Sequence, residues 1–289
     1  MKNRILVPLV TPFREDESID YEMLKKLVSY ELDSGADGLY VGGSSAECFL
    51  LTDEERKKVL ETAVKAADGA FVVANIGSIG TAVAEDFAMH AARSGANVIS
   101  SVPPFYFAYS FSEIASYYRD LTKKTGLPLM IYNIPSNTHT KFSLGELESL
   151  LSEDGMDYMK FTDVDFFMLE QLKSHTGKFI YSGKDEDFLS ALAAGADGGI
   201  GTTFNFMVGR FIEIQKLYKE GKMQDAREVQ HSVNELVRAV CECGLLASVK
   251  YMLELLGYPC GGARRPFARL TDEKKKYLKE TALREKLLK

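Results

Sequence analysis

The sequence predicts an α/β fold of the (β/α)8 class, the TIM barrel, followed by a C-terminal helical extension. Eight short apolar segments alternate with helix-like stretches up to about residue 203, and only helical patterns follow residue 205. Short, fully apolar strands separated by helices are typical of parallel sheets covered on both faces. Eight such units match a closed barrel. We therefore expect residues 1–204 to form the barrel and residues 205–289 to form helices packed on it.

The strand-like segments set the order of the predicted barrel. They are residues 5–9, 38–41, 71–75, 97–100, 128–132, 158–161, 179–181 and 198–201. A doubly wound open sheet is the structural alternative. It is less favoured, because no G-x-G-x-x-G turn follows the first strand.

Helix starts support the same alternation. Thr52, Ser110 and Ser143 each stand three residues before a glutamate, which is the pattern of a capping box. Beyond the barrel, helical patterns cover residues 210–219, 223–243, 245–256 and 271–288.

Composition places the chain among soluble globular proteins. Of its 289 residues 46% are hydrophobic and 26% charged, and the formal net charge is −6. This balance argues against nucleic acid as a partner, and no apolar run is long enough to span a bilayer. Four cysteines in a chain of this length are not a disulfide framework, and Cys241 and Cys243 lack a matching pair of metal ligands. We expect reduced thiols, no metal and a cytoplasmic location.

Polar side chains stand at the ends of several predicted strands. In a parallel barrel these ends face one shared mouth. The residues that this geometry brings within reach of one cavity are Ser44, Ser45, Tyr132, Lys160, Asp185, Glu186 and Thr202.

Lys160 and Tyr132 are the candidates for covalent chemistry. A lysine at a strand end that loses its proton in a partly dry cavity is an amine nucleophile, and a tyrosine beside it can relay protons. The simpler interpretations are a surface lysine that ends a strand and a half-buried aromatic residue that closes one. For each residue, the sequence alone does not decide between the catalytic and the simpler interpretation.

Two loops are candidates for substrate binding. The 42–47 segment, GGSSAE, offers backbone N–H groups and two hydroxyls to a carboxylate, or it is simply a glycine-rich turn. We expect Glu47 to be a buried, hydrogen-bonded brace. The carboxylates of Asp185 and Glu186 suit sugar hydroxyls, and helix capping explains them equally well.

These motifs together resemble the N-acetylneuraminate lyase and dihydrodipicolinate synthase superfamily of class I aldolases, and the likeness runs along the whole chain. The family turn G-x-[ST]-[ST]-G-E is similar to residues 42–47, with Ala46 in place of the second glycine. Its Y-N-x-P motif is similar to residues 132–135, and its Schiff-base lysine aligns with Lys160.

The resemblance implies the lyase branch, because Asn137 stands where dihydrodipicolinate synthases usually carry an arginine. It implies that pyruvate, N-acetylmannosamine and the sialic acid N-acetylneuraminate are the reaction partners, in a homotetramer that needs no cofactor beyond the lysine Schiff base. It also implies Thr162 beside the reacting C4 hydroxyl and Tyr106 as a proton relay from a neighbouring subunit. The residues implied to contact the polyhydroxylated tail are Gly183, Asp185, Glu186 and Thr202.

Other functions stay open on the sequence alone. Within enzymes, the alternatives are a 2-keto-3-deoxy sugar acid aldolase and a dihydrodipicolinate synthase. A different class is a non-catalytic sugar-acid binding regulator on the same barrel. Retention of both Lys160 and Tyr132 argues against that class, because binding alone needs neither.

Overall fold

The computed structural model describes residues 4–288 and shows a closed barrel of eight parallel strands. Each strand pairs with the next along the chain, and the last pairs with the first. The strands are β1 (Arg4–Pro8), β2 (Gly38–Val41), β3 (Phe71–Asn75), β4 (Val98–Ser101), β5 (Leu129–Asn133), β6 (Met156–Phe161), β7 (Phe179–Ser182) and β8 (Gly198–Gly199). The predicted barrel is confirmed. Residues 1–3 and 289, the outer ends of the two predicted units, lie outside the described residues.

Helices cover the outside of the barrel and continue beyond it. They are α1 (Tyr21–Asp33), α2 (Asp53–Ala67), α3 (Thr81–Ser94), α4 (Phe111–Thr125), α5 (Pro135–Thr138), α6 (Leu144–Leu151), α7 (Phe166–Thr176), α8 (Phe188–Ala193), α9 (Phe204–Lys219), α10 (Met223–Cys243), α11 (Leu245–Leu255) and α12 (Asp272–Arg284). Complete capping boxes begin α2, α4 and α6, at the three predicted residues Thr52, Ser110 and Ser143. Between residues 4 and 288, no helix is both long and apolar enough to cross a membrane.

The strands separate two apolar cores, because successive side chains of a strand point to opposite sides. Leu6, Tyr40, Val73, Met130 and Tyr181 belong to the smaller cluster, which fills the barrel interior. Strand residues that point outward, such as Ile5, Leu39 and Ile131, join the larger cluster beneath the helices. A filled interior leaves the carboxyl ends of the strands as the place for a cavity.

The eighth strand is shorter than the sequence predicts. It ends at Gly199, and the two residues after it turn towards α9. A Cβ atom at Gly201 would lie 1.7 Å from Asp185 Oδ1, so this turn needs a glycine against the neighbouring loop. The prediction of a strand over residues 198–201 is wrong in its second half, because the strand ends at Gly199 and Gly201 packs against Asp185 instead of pairing in the sheet.

The C-terminal helices follow the barrel as predicted. Asn205, in the first turn of α9, donates from Nδ2 to the backbone oxygen of Pro8 at 2.9 Å and accepts from the N–H of Val10 at 3.1 Å. Helix α9 is thereby fixed to the end of β1. Helix α10 packs against α8 and α9, and α12 packs against α10 and α11. The division into two units at residue 204 stays a prediction.

Candidate active site

Lys160 and Tyr132 lie side by side at the carboxyl end of the barrel. They are direct neighbours in the pairing of β5 with β6, and their exposed fractions are only 5% and 3%. Lys160 Nζ lies 4.2 Å from the centroid of the Tyr132 ring and 4.7 Å from that of Tyr40. Aromatic faces replace much of the water around this amine. The structure therefore brings the predicted nucleophile and the predicted proton relay together.

Tyr40 is a buried tyrosine that the sequence reasoning missed. Its Oη lies 3.0 Å from Ser100 Oγ and 3.2 Å from Asn75 Oδ1. Burial raises the pKa of Tyr40 well above its ordinary value, so the side chain is a neutral phenol. Asn75 also donates from Nδ2 to the backbone oxygen of Gly42 at 2.8 Å. This network ties an aromatic neighbour of Lys160 to the start of the 42–47 turn.

The 42–47 turn presents its two serines differently. Ser44 is exposed to the mouth, whereas Ser45 is buried and its Oγ lies 2.8 Å from Thr202 Oγ1. Residues Ser44–Ala46 form a short 3-10 helix. The backbone is left-handed at Gly42 and Glu47 and not at Ala46, so an alanine in place of the family glycine causes no strain. Thr202 thus lies beside the predicted carboxylate-binding hydroxyls.

Glu47 is a buried brace, as the sequence predicts. Its Oε1 accepts from Lys250 Nζ at 2.5 Å, and its Oε2 accepts from the backbone N–H of Arg264 at 2.6 Å. The exposed fractions of the Lys250 and Glu47 side chains are 1% and 0%. Burial lowers the pKa of Lys250, although the adjacent carboxylate opposes that shift. No sequence pattern pointed to Lys250, because it lies in a helix 203 residues further along the chain.

Gly183 and Thr162 lie in contact below the lysine. A Cβ atom at Gly183 would lie 1.9 Å from Thr162 Oγ1 and 3.2 Å from Lys160 Cε. The Thr162 hydroxyl is buried and has no hydrogen-bond partner within residues 4–288. A buried hydroxyl without a partner is costly, so the Thr162 hydroxyl is available to a ligand. Any residue larger than glycine at 183 would overlap it.

One carboxylate oxygen of Asp185 makes structural hydrogen bonds. Its Oδ2 accepts from the N–H of Thr203 at 2.7 Å and from Thr203 Oγ1 at 2.6 Å. Burial raises the pKa of Asp185 to about 6, although the two bonds from Thr203 oppose that shift. The N-cap residue of α8 is Asp187, and Asp185 instead stabilises the start of α9. Thr203 is therefore a partner that the sequence reasoning did not name.

Lys184 and Glu186 form an ion pair at the rim. Lys184 Nζ lies 2.9 Å from Glu186 Oε1, and the two side chains are 28% and 42% exposed. The sequence left Lys184 without a role. In the structure it occupies one oxygen of a carboxylate that was predicted to face sugar hydroxyls.

A cavity of about 280 Å3 opens beside these groups. Its polar lining includes Ser44 and Asn137. Apolar side chains make up most of the rest, and they include Phe49, Val102, Phe105, Ile134, Leu246 and Phe267. The last two belong to the C-terminal part of the chain, and no strand-end pattern pointed to them.

Tyr106 does not join this cavity. Its side chain is 82% exposed, its backbone is left-handed at φ 80°, and its ring meets Phe107 edge-on at 5.0 Å. A proton relay from a neighbouring subunit stays a prediction. In the described part of the chain, no three His, Cys, Asp or Glu side chains are grouped as metal ligands would be. The absence of a cofactor also stays a prediction.

A family profile described as the dihydrodipicolinate synthetase family matches residues 1–285. The chain belongs to the dihydrodipicolinate synthetase family. The resemblance drawn from its motifs is confirmed.

Relatives within the dihydrodipicolinate synthetase family carry two kinds of name. An N-acetylneuraminate lyase of Rhizobium meliloti (strain 1021) is 38% identical over 266 residues, which are 91% of this chain and 89% of that protein. The Clostridium difficile protein CdNal, solved in complex with mannosamine, matches with a TM-score of 0.96 at 34% identity over 99% of both chains. The Bacillus anthracis dihydrodipicolinate synthase DapA-2 matches with a TM-score of 0.93 at 25% identity over 97% of both chains. The predicted enzyme class, a lyase, is confirmed.

Proposed function

We propose that this protein is a Schiff-base aldolase that cleaves N-acetylneuraminate reversibly to N-acetylmannosamine and pyruvate. One observation carries the proposal: Lys160 and Tyr132 lie side by side at the carboxyl end of the barrel, where a turn with two serine hydroxyls also lies. A nucleophile, a proton relay and a carboxylate site within one cavity suit a 2-keto acid. The lyases among the similar proteins favour a sialic acid as that substrate.

The first half of the reaction forms the imine. The neutral Lys160 amine attacks the C2 ketone of the open-chain sugar, while Ser44 and Ser45 hold the substrate carboxylate. The resulting carbinolamine loses water and becomes a protonated imine. This cation withdraws electrons from the C3–C4 bond, so that no metal or external cofactor is needed as an electron sink.

The second half breaks the carbon–carbon bond. Tyr132 takes the proton of the C4 hydroxyl through the substrate carboxylate, and the C4 oxygen becomes the aldehyde of N-acetylmannosamine. The C3–C4 electron pair moves into the imine and leaves an enamine on Lys160. Protonation at C3 and addition of water then release pyruvate. The water lost in imine formation is regained in hydrolysis.

The remaining groups would recognise the sugar. Thr162, whose buried hydroxyl has no partner within residues 4–288, would bond the C4 hydroxyl. Gly183, Asp185, Glu186 and Thr202 would line the path of the hydroxylated tail. Tyr106 would act from the neighbouring subunit of a homotetramer, in the cytoplasm.

Synthesis of dihydrodipicolinate is the second candidate, and the family match and the DapA-2 likeness favour it. That reaction needs a cation for a second carboxylate. Asn137 lines the cavity at the expected place and carries no charge. The lyase reaction is therefore preferred, and activity with aspartate semialdehyde would reverse that preference.

Borohydride trapping tests the proposal directly. With pyruvate and borohydride, intact-mass analysis should show one adduct per chain, on the peptide that contains Lys160. Lys160→Arg keeps the charge but cannot form the imine, so it should lose the adduct and all activity. Lys184→Arg is the matched control and should keep both. Coupled pyruvate detection over a panel of sialic and 2-keto-3-deoxy acids then identifies the substrate. An adduct on another lysine, or no adduct, overturns the mechanism.

A further inference from the structure

The C-terminal helices contact two segments of the candidate site, the Ser44–Ala46 turn and the loop that carries Asp185, through separate buried side chains. At one end, Lys250 of α11 donates to Glu47, the residue that closes the Ser44–Ala46 turn. At the other end, Gln230 of α10 is hydrogen-bonded to the loop that carries Asp185. Neither Lys250 nor Gln230 lines the cavity, so each acts through another residue.

The contact at the turn is tight and charged. Lys250 Nζ also donates to the backbone oxygen of Gly262 at 3.2 Å and lies 4.1 Å from the centroid of the Phe13 ring. Arg264 donates its backbone N–H to the same Glu47 carboxylate at 2.6 Å. Glu47 itself has left-handed backbone at φ 57°, between two short 3-10 helices. Its carboxylate therefore fixes a strained corner next to the two serines.

The contact at the opposite loop is neutral. Gln230 Nε2 donates to the backbone oxygens of Asp185 at 3.0 Å and Glu186 at 3.3 Å. Gln230 Oε1 accepts from the N–H of Leu189 at 3.0 Å. One amide thus holds both sides of the loop, and its exposed fraction is 8%.

We infer that Lys250 and Gln230 are positioning residues that control the two ends of the substrate pocket independently. Lys250 sets the turn that receives the carboxylate, and Gln230 sets the loop that faces the sugar tail. The kinetic consequence rests on the proposed function, because only a pyruvate-forming enzyme has those two substrate ends.

Lys250→Met and Gln230→Leu are the test variants, and each is measured in three ways. The first measurement is the pyruvate concentration that half-saturates borohydride trapping. The second is KM and kcat for N-acetylneuraminate. The third is hydrogen–deuterium exchange in peptides covering residues 42–50 and 183–189. Lys274→Met and Gln215→Leu are the controls. The Lys274 amine donates to the end of α10, and Gln215 accepts from Lys219 of its own helix while its Nε2 has no partner in the described chain.

Lys250→Met should raise the half-saturating pyruvate concentration roughly tenfold and speed exchange in 42–50 alone, since a small misplacement of a binding group is costly. Gln230→Leu should leave pyruvate trapping within about twofold and raise KM for the sugar roughly tenfold, with faster exchange in 183–189 alone. If Lys250 and Gln230 had only a structural role, each variant would change pyruvate trapping and KM for the sugar together. That result, or exchange like the controls, overturns the inference.

Two further measurements keep the outcome decisive. If Lys250→Met does not fold, the double variant Glu47→Gln/Lys250→Met removes both buried charges and should show the same selective loss at the pyruvate end. If the unaltered protein forms no adduct with pyruvate, the proposed function fails. Hydrogen–deuterium exchange by itself then tests the positioning roles, because it requires no turnover.

Discussion

The two ends of the candidate pocket are built from different interactions. At the carboxylate end, Glu47 and Lys250 form an ion pair that is almost completely buried. At the tail end, Lys184 and Glu186 form a pair that is 28% and 42% exposed. Removing one partner of a buried pair costs several kcal/mol, whereas an exposed pair contributes about 0–1 kcal/mol.

This difference matches what each end would have to recognise. A carboxylate next to a ketone is the same in every 2-keto acid, so a rigid site suits it. The remainder of the substrate varies in length and in hydroxyl groups. Side chains at a solvent-exposed rim can be substituted at little cost in stability, and Lys184 is one such side chain.

The largest effect is expected for Tyr132, the strand neighbour of Lys160, and not for a residue at either end of the pocket. Tyr132→Phe removes only a hydroxyl, so pyruvate should still be trapped while kcat falls roughly 10²–10⁴-fold, as for a lost proton-transfer group. Steady-state kinetics and borohydride trapping measure the two effects. Near-normal kcat would make Tyr132 a packing residue and leave the centre of the pocket without its proton relay.

Gly183→Ala tests how closely the tail end approaches the lysine. The new Cβ would lie 1.9 Å from Thr162 Oγ1, so backbone or threonine must move, and a displacement of about 1 Å can cost roughly 100-fold in kcat/KM. Gly209→Ala in α9 is the matched control, because within residues 4–288 its added Cβ would meet no atom within 4 Å beyond its own helix backbone and chain neighbours. It should be neutral or stabilise by about 0.5–1 kcal/mol. Equal activity in both variants would show that the contact at residue 183 is irrelevant.

Asp185 gives the tail end a pH dependence. Its pKa is raised by burial from 3.8 to about 6, so its contribution to stability is complete below about pH 4 and is lost as pH rises through 6. Asp185→Asn keeps an oxygen for Thr203 and cannot ionise. Between pH 4 and 7, the unaltered protein should therefore lose roughly 2–3 kcal/mol more of its free energy of unfolding than the variant. Urea unfolding at several pH values measures this, and parallel curves would contradict it.

The smallest effect is expected at the rim. Lys184→Gln frees Glu186 and should change kcat/KM for N-acetylneuraminate by no more than about fivefold, the value of an exposed ion pair. Lys178→Gln is a close control, since the Lys178–Asp157 pair is 27% and 42% exposed and lies at the opposite end of the barrel. It should leave kinetics unchanged. A loss as large as that of Gly183→Ala would show that the rim is not adaptable.

The barrel could be predicted because each buried strand is a short apolar run in the sequence itself. Strands β2 and β3 have the predicted bounds, since each is an apolar run that ends where the turn begins. Strand β8 was predicted too long, because its glycines look alike in the sequence. Whether a glycine pairs in a sheet or makes room for Asp185 depends on a loop elsewhere in the chain.

The site was predicted only where a residue ends a strand. Lys160 and Tyr132 could be placed together because topology alone makes them neighbours. Lys250, Leu246 and Phe267 could not, because their positions depend on how the C-terminal helices dock. Tyr40 was missed for a different reason. It lies within a strand, and a buried tyrosine among apolar residues has no distinguishing pattern.

The partners of Glu47 lie 203 and 217 residues further along the chain, and this has a consequence for biosynthesis. Glu47 is synthesised long before Lys250 and Arg264. Contacts of such separation form late, because the intervening chain must first be ordered. A growing chain can thus build most of its barrel while the Ser44–Ala46 turn still lacks the contacts that support it. If the protein has the proposed activity, we expect that activity to appear only after synthesis of the C-terminal helices.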